Sequence, residues 1–152
     1  MLFKTHFALA LFFILLLIGF VYDKGIFFIF ALIGMIIPDL DSRFSKYGKK
    51  IIFRPFQFFI KHRGAIHSVT FAAVFSFILG FFFPAASFGF FIGYCSHIIG
   101  DSFTIEGVQV FWPLASRSYG FIRTGGKRES ILFFTLVFVD TILLVIFARG
   151  LI

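Results

Sequence analysis

Five apolar runs set the pattern of this chain, at residues 7–22, 25–38, 69–83, 85–100 and 131–148. Asp23-Lys24-Gly25 forms a tight polar turn between the first two, and Pro84 with Ala85-Ala86-Ser87 breaks the third from the fourth. The other two connections, 39–68 and 101–130, are long and hold most of the charge. A helix crossing a bilayer needs about 20 apolar residues, with a range of roughly 17–25. Most of the runs are shorter, so flanking residues, local thinning or a partly re-entrant hairpin must complete them. The pattern predicts an all-α, polytopic membrane bundle of about five short transmembrane helices, a single integral membrane domain over 1–152. Four spans are the alternative if the first two runs form a re-entrant hairpin. Within the first long connection, residues 51–61 are apolar with basic punctuation; they read either as a segment lying in the interface or as a short buried loop helix.

Composition agrees with a membrane solvent. Hydrophobic residues make up 60% of the 152 and charged residues 14%, with 29 phenylalanines. A soluble domain carries about a quarter charged residues, so this chain cannot cover a water-facing surface. The first run is read as a retained span, because Gly19-Phe20-Val21-Tyr22 is a poor match to a small-x-small cleavage site. The single cysteine, Cys95, allows no intrachain disulfide.

The net charge of +7 then bears on topology. With five spans, the N-terminus and both long connections share a side, and that side holds 12 of the 14 Lys and Arg; Lys24 and Arg149 lie opposite. The positive-inside rule makes the loop-rich face cytoplasmic in an inner or plasma membrane. The basic residues are explained by topology and anionic headgroups, so membrane lipid and no nucleic acid is the expected partner.

The same face gathers the chemistry. All four histidines, His6, His62, His67 and His97, fall on it, as do Asp39, Asp41 and Asp101. Imidazole and carboxylate together are ligands for zinc, manganese or iron. His97 and Asp101 are four apart, hence on one face of a helix. Pro38 disfavours helix at the residue before it, and in an extended segment Asp39 and Asp41 point the same way. Gly64 permits a turn that brings His62 and His67 inward. Singly, each has a plainer reading: His6 as a helix-start residue among headgroups, Asp39 and Asp41 as a helix stop, His62 as a solvated neighbour of Lys61 and Arg63. Asp23 and Glu129 read as solvated loop residues, and Asp140 lies too deep in the last run to join the group. The joint pattern decides for a metal site at one membrane face.

These motifs carry a resemblance. Met35-Ile36-Ile37-Pro38-Asp39-Leu40-Asp41, Lys61-His62-Arg63-Gly64-Ala65-Ile66-His67-Ser68, and Gly93-Tyr94-Cys95-Ser96-His97 through Gly100-Asp101 to Gly107-Val108 with Trp112-Pro113, preceded by Thr5-His6, resemble the ordered elements of the YdjM-like family of inner-membrane proteins. Ile66 stands where that family often has threonine. The resemblance covers residues 6–113 and implies a membrane-bound metal-dependent hydrolase. It also implies distant kinship with zinc-dependent phospholipase C and P1-type nucleases, whose H-x-x-x-D pairs match His97 and Asp101, and so phosphoester chemistry.

The resulting expectation is that His6, Asp39, Asp41, His67, His97 and Asp101 bind a divalent metal, zinc first and manganese or iron next, which activates water. Arg63 pairs with a substrate phosphate or carboxylate. His62 is a ligand or a general acid, and Ser68 and Thr104 orient ligands. A site at headgroup depth favours a phospholipid-like substrate. The alternatives are a non-enzymatic protein with a structural metal and an ion transporter. A metal-independent PAP2-type phosphatase would need lysine at position 47, where this chain has Tyr47 before Arg54-Pro55.

Overall fold

The computed structural model describes residues 1–41, 64–114 and 117–150. Five α-helices lie among them: α1 (Phe3–Leu17), α2 (Lys24–Ile36), α3 (Val69–Gly80), α4 (Pro84–Ser102) and α5 (Lys127–Ala148). Short 3-10 turns extend α1 over Ile18–Phe20 and α2 over Ile37–Asp41. The starts have local causes. Asp23 Oδ1 accepts from the Ile26 N–H at 3.0 Å at the head of α2, and Ser68 Oγ accepts from the Phe71 N–H at 3.1 Å at the head of α3. Proline at the first position of α4 has no N–H to leave unpaired.

Close backbone packing of α2 against α4 organises the bundle. A Cβ on Gly93 would overlap the carbonyl oxygen of Ala31, one on Gly89 that of Phe27, and one on Gly34 that of Phe90. Gly89 and Gly93 form a small-xxx-small pair, which lets helix backbones touch in a setting where burial of apolar surface drives little association. Two apolar clusters flank this seam: Ile14, Ile18, Phe27 and Ala31 on the α1 side, and Ala72, Phe90, Tyr94, Ile98 and Val108 on the α3 side. α5 lies alongside α1 in the same direction, with Glu129, Leu136 and Asp140 its buried residues.

The five expected runs each form a helix, but five transmembrane helices are not supported. α3 has 12 residues, roughly 18 Å at 1.5 Å per residue and short of a hydrocarbon core about 30 Å thick; α2 has 13, and the 3-10 turn that extends it carries Asp39 and Asp41. Among the described residues, two helices are long and apolar enough to cross a membrane: α1 with its extension, Phe3–Phe20, and α5, Lys127–Ala148. α4 has 19 residues, but its polar end, from Ser96 to Ser102, keeps it out of that class. The interfacial stretch expected at 51–61 lies outside the described residues.

Candidate metal centre

Four helix ends converge at one end of the bundle. His6 lies in the first turns of α1, Asp39 in the 3-10 turn after α2, His67 just before α3, and His97 and Asp101 in the last turns of α4. Gly93, His97 and Asp101 follow one another at four-residue steps, so the face of α4 that meets the α2 backbone runs directly into the two polar residues. The close seam brings the Met35 carbonyl within 2.8 Å of His97 Nδ1.

That contact decides the chemistry of His97. A carbonyl only accepts, so Nδ1 carries the proton and Nε2 keeps its lone pair. Nε2 is buried with no hydrogen-bond partner among the described residues. It faces Asp39 Oδ1 and Asp101 Oδ2, both at 3.9 Å. An imidazole whose far nitrogen is held by a backbone carbonyl while the near lone pair looks at carboxylates is the arrangement of a metal-ligating histidine.

Asp101 is the hub. Its Oδ1 lies 3.3 Å from His6 Nε2 and its Oδ2 lies 3.3 Å from His67 Nε2. The His6 and His97 rings stack with centroids 3.9 Å apart, and His67 meets His97 edge-on at 5.2 Å. One ligand atom from each of His6, His97 and Asp101 falls within 4.8 Å of the others, a group that can hold a metal ion. His6, His67, His97 and Asp101 are each at most 3% exposed. Asp39 is half-buried, its side chain 21% exposed, and marks the open side of the group. Burial pushes the Asp39 carboxyl above the usual carboxylate range; the His6 and His67 imidazoles pull it down, and Asp101 pushes it up again. A divalent cation among these groups offsets both the desolvation and the carboxylate repulsion. The donor set of imidazole nitrogens and carboxylate oxygens fits zinc, manganese or iron.

Of the expected site residues, His6, Asp39, His67, His97 and Asp101 are thus brought together. The extended Pro38–Asp41 segment is corrected to a 3-10 turn: Ile37, before the proline, keeps helical dihedrals with its N–H bonded to the Ile33 carbonyl, and the turn covers Ile37–Asp41. The same-side argument for Asp39 and Asp41 therefore lapses, and the Asp41 side chain, like His62 and Arg63, lies outside the described residues. Ser68 and Thr104 act on backbone instead of ligand side chains. Ser68 Oγ donates to the Ala65 carbonyl at 2.5 Å, and Thr104 Oγ1 donates to the Asp101 carbonyl at 2.7 Å.

Glu129 is a correction too: it is 1% exposed, with Oε1 accepting from the Leu2 N–H and Oε2 from the Gly125 N–H, both at 2.6 Å. It fastens the start of α1 to the start of α5. The loop between α4 and α5 adds further clamps. Thr104 bridges Ile122, Val108 bridges Ser118, the Val69 N–H bonds to the Val110 carbonyl at 2.8 Å, and the Tyr94 hydroxyl donates to the Ile66 carbonyl beside His67.

The profile described as YdjM inner membrane protein matches residues 1–151. The chain belongs to the YdjM family. Among YdjM relatives, the Inner membrane protein YdjM of Escherichia coli (strain K12) is 36% identical over 92 residues, 55% of this chain and 47% of that protein. The Uncharacterized protein YvsG of Bacillus subtilis (strain 168) is 30% identical over 105 residues, 65% of this chain and 66% of that one. The chain thus spans about half the length of the curated YdjM proteins it matches. No solved structure matches it. Membership and the two long apolar helices support a membrane location.

Sequence reasoning missed Gly100. A Cβ there would lie 2.9 Å from His6 Nδ1 and 3.0 Å from His6 Cε1, so glycine makes room for the imidazole. Gly100→Ala is expected to turn the His6 ring away and weaken divalent-metal binding about tenfold, the scale of a disturbed ligand orientation. Isothermal titration with zinc checks this, and unchanged affinity would show that His6 is not held at the centre.

Proposed function

We propose that this chain is a membrane-bound metal-dependent hydrolase acting on the phosphoester of a lipid-like substrate. The observation that carries the reading is the buried, unpartnered lone pair of His97 Nε2, aimed at Asp39 and Asp101 and locked by the Met35 carbonyl. Such a nitrogen lacks the hydrogen bond that burial ordinarily demands, and a cation supplies what is missing. His6, His67, His97, Asp39 and Asp101 would hold the ion, with zinc preferred and manganese or iron next. When bound, the ion supplies a Lewis acid that polarises the phosphoryl oxygen and brings the ionisation of water towards neutrality. Asp39, on the open side, would take a proton from an entering water. The buried remainder of the group excludes bulk solvent from behind. Arg63, four residues before His67 in the sequence, would serve as the phosphate-binding fork, with His62 a ligand or general acid.

The H-x-x-x-D spacing of His97 and Asp101 resembles that of zinc-dependent phospholipase C and P1-type nucleases, and this resemblance supports phosphoester chemistry. The concentration of 12 of the 14 Lys and Arg in the N-terminus and the two long connections supports a multi-pass chain whose site end faces the cytoplasm.

Deep burial of four of the five groups favours one other reading, a closed structural metal site. Elemental analysis of the detergent-purified protein beside an Asp39→Ala, His97→Ala double variant tests the metal. About one or two equivalents, lost in the variant, are expected. The metal-loaded protein is then offered phosphodiester and phospholipid substrates. Turnover abolished by chelator supports the hydrolase, whereas tight stoichiometric metal with no turnover of either class leaves the structural site. A metal-free protein unaffected by the double substitution sinks both.

A further inference from the structure

On the flank of α1 away from His97, a cleft of about 490 Å³ runs between α1 and α5. Its walls are apolar, with Phe7 and Leu11 on one side and Val137 and Leu144 on the other. Phe7, Val137 and Leu144 are exposed, so the cleft opens outward, towards lipid in a membrane protein. Two polar residues interrupt it. Lys4 stands at the end nearer the metal centre, its ammonium 4.8 Å from the centroid of the Phe133 ring. Asp140 lies two turns deeper, 5% exposed, with Oδ1 buried and without a hydrogen-bond partner among the described residues. The neighbouring Thr141 hydroxyl does not serve it, because Thr141 Oγ1 donates to the Val137 carbonyl at 2.7 Å.

An ionisable side chain at this depth is costly and marks a polar partner. Here the partner must come from outside the described residues, must donate a hydrogen bond, and must be otherwise apolar to lie in the cleft. The cation at the rim selects an anionic head. We propose that the α1–α5 cleft binds a single-chain anionic amphiphile with a free hydroxyl below its head, of which a lysophospholipid is the simplest form. The anionic head meets Lys4, the hydroxyl donates to Asp140 Oδ1, and the chain lies along Phe7, Leu11, Val137 and Leu144. A single furrow between two helices takes one chain, which excludes an intact diacyl lipid as the full occupant. The site is separate from the metal centre and does not depend on hydrolase activity.

The test is native mass spectrometry of the full chain in detergent, titrated with lysophosphatidylglycerol and, separately, with its analogue lacking the glycerol 2-hydroxyl. The wild type is expected to prefer the hydroxylated lipid by about fivefold, the value of one hydrogen bond. Asp140→Leu is expected to lose that preference, while Asp140→Asn, which keeps an acceptor oxygen and guards against a folding artefact, retains it. Lys4→Gln is expected to weaken both lipids alike. Equal binding of the two lipids by the wild type, or a preference that survives in Asp140→Leu, would overturn the proposal. So would an Asp140→Leu variant that changes oligomeric state while its lipid binding is unaltered, since the missing donor would then belong to a second copy of the chain.

Discussion

Asp101→Asn is expected to abolish metal binding, lowering affinity by more than about 100-fold, beyond the 10–100-fold range of groups that only orient a ligand. Both oxygens of Asp101 face histidines, His6 at Oδ1 and His67 at Oδ2, while His97 Nε2 stands 3.9 Å away. An amide has the same outline but no charge, and its NH2 group can donate only. One of the two histidines then meets a donor where it had an acceptor, and the three imidazoles lose the anion that makes their crowding tolerable. Metal content by elemental analysis gives the first readout. The second is thermal unfolding with and without chelator: ligand linkage predicts a chelator-dependent drop in the wild type and none in the variant. A variant that retains stoichiometric metal would remove Asp101 from the centre and leave the imidazole cluster without a purpose.

Gly93→Ala is the second large effect, and it acts through the fold. Helix propensity alone favours alanine over glycine by about 1 kcal/mol. Here the added methyl would occupy the position of the Ala31 carbonyl oxygen, which belongs to backbone and has no rotamer to change. Forcing α2 and α4 apart costs about 3 kcal/mol or more, so net destabilisation of about 2 kcal/mol or more is expected in detergent unfolding. Gly25→Ala is the control: its Cβ meets only Asp23 Oδ1 at 3.7 Å, an ordinary contact, and it is expected to be at least as stable as the wild type. Because the same seam sets the 2.8 Å approach of Met35 to His97, Gly93→Ala should also lower metal affinity in whatever fraction remains folded. Wild-type stability in Gly93→Ala would mean that the two backbones do not touch.

Chain pattern alone determined the five helices, because each apolar run is bounded by a polar turn, a proline or a capping residue that ends a helix for local reasons. It also pointed to His6, Asp39, His67, His97 and Asp101, which stand at helix ends, as residues that gather, while Asp41, His62 and Arg63 of the same expectation lie outside the described residues. Tertiary structure decided the rest. Helix length and polar helix ends reduced the helices able to cross a membrane to two among the described residues: α3 stops at 12 residues, and α2 with its 3-10 extension and α4 end in polar residues. Ile37, the residue before Pro38, keeps helical dihedrals with its N–H bonded to the Ile33 carbonyl, and a 3-10 turn follows in place of extended backbone, so the Asp39 and Asp41 pairing argument failed. Glu129 left the solvent because two backbone N–H groups, from Leu2 and Gly125, needed an acceptor at a buried junction. Above all, the tautomer of His97 is not legible in any spacing. It follows from a backbone carbonyl 62 residues away, placed by glycines that let two helices touch. The Gly89-xxx-Gly93 signal was present in the chain, but only its partner surface on α2 gave it meaning.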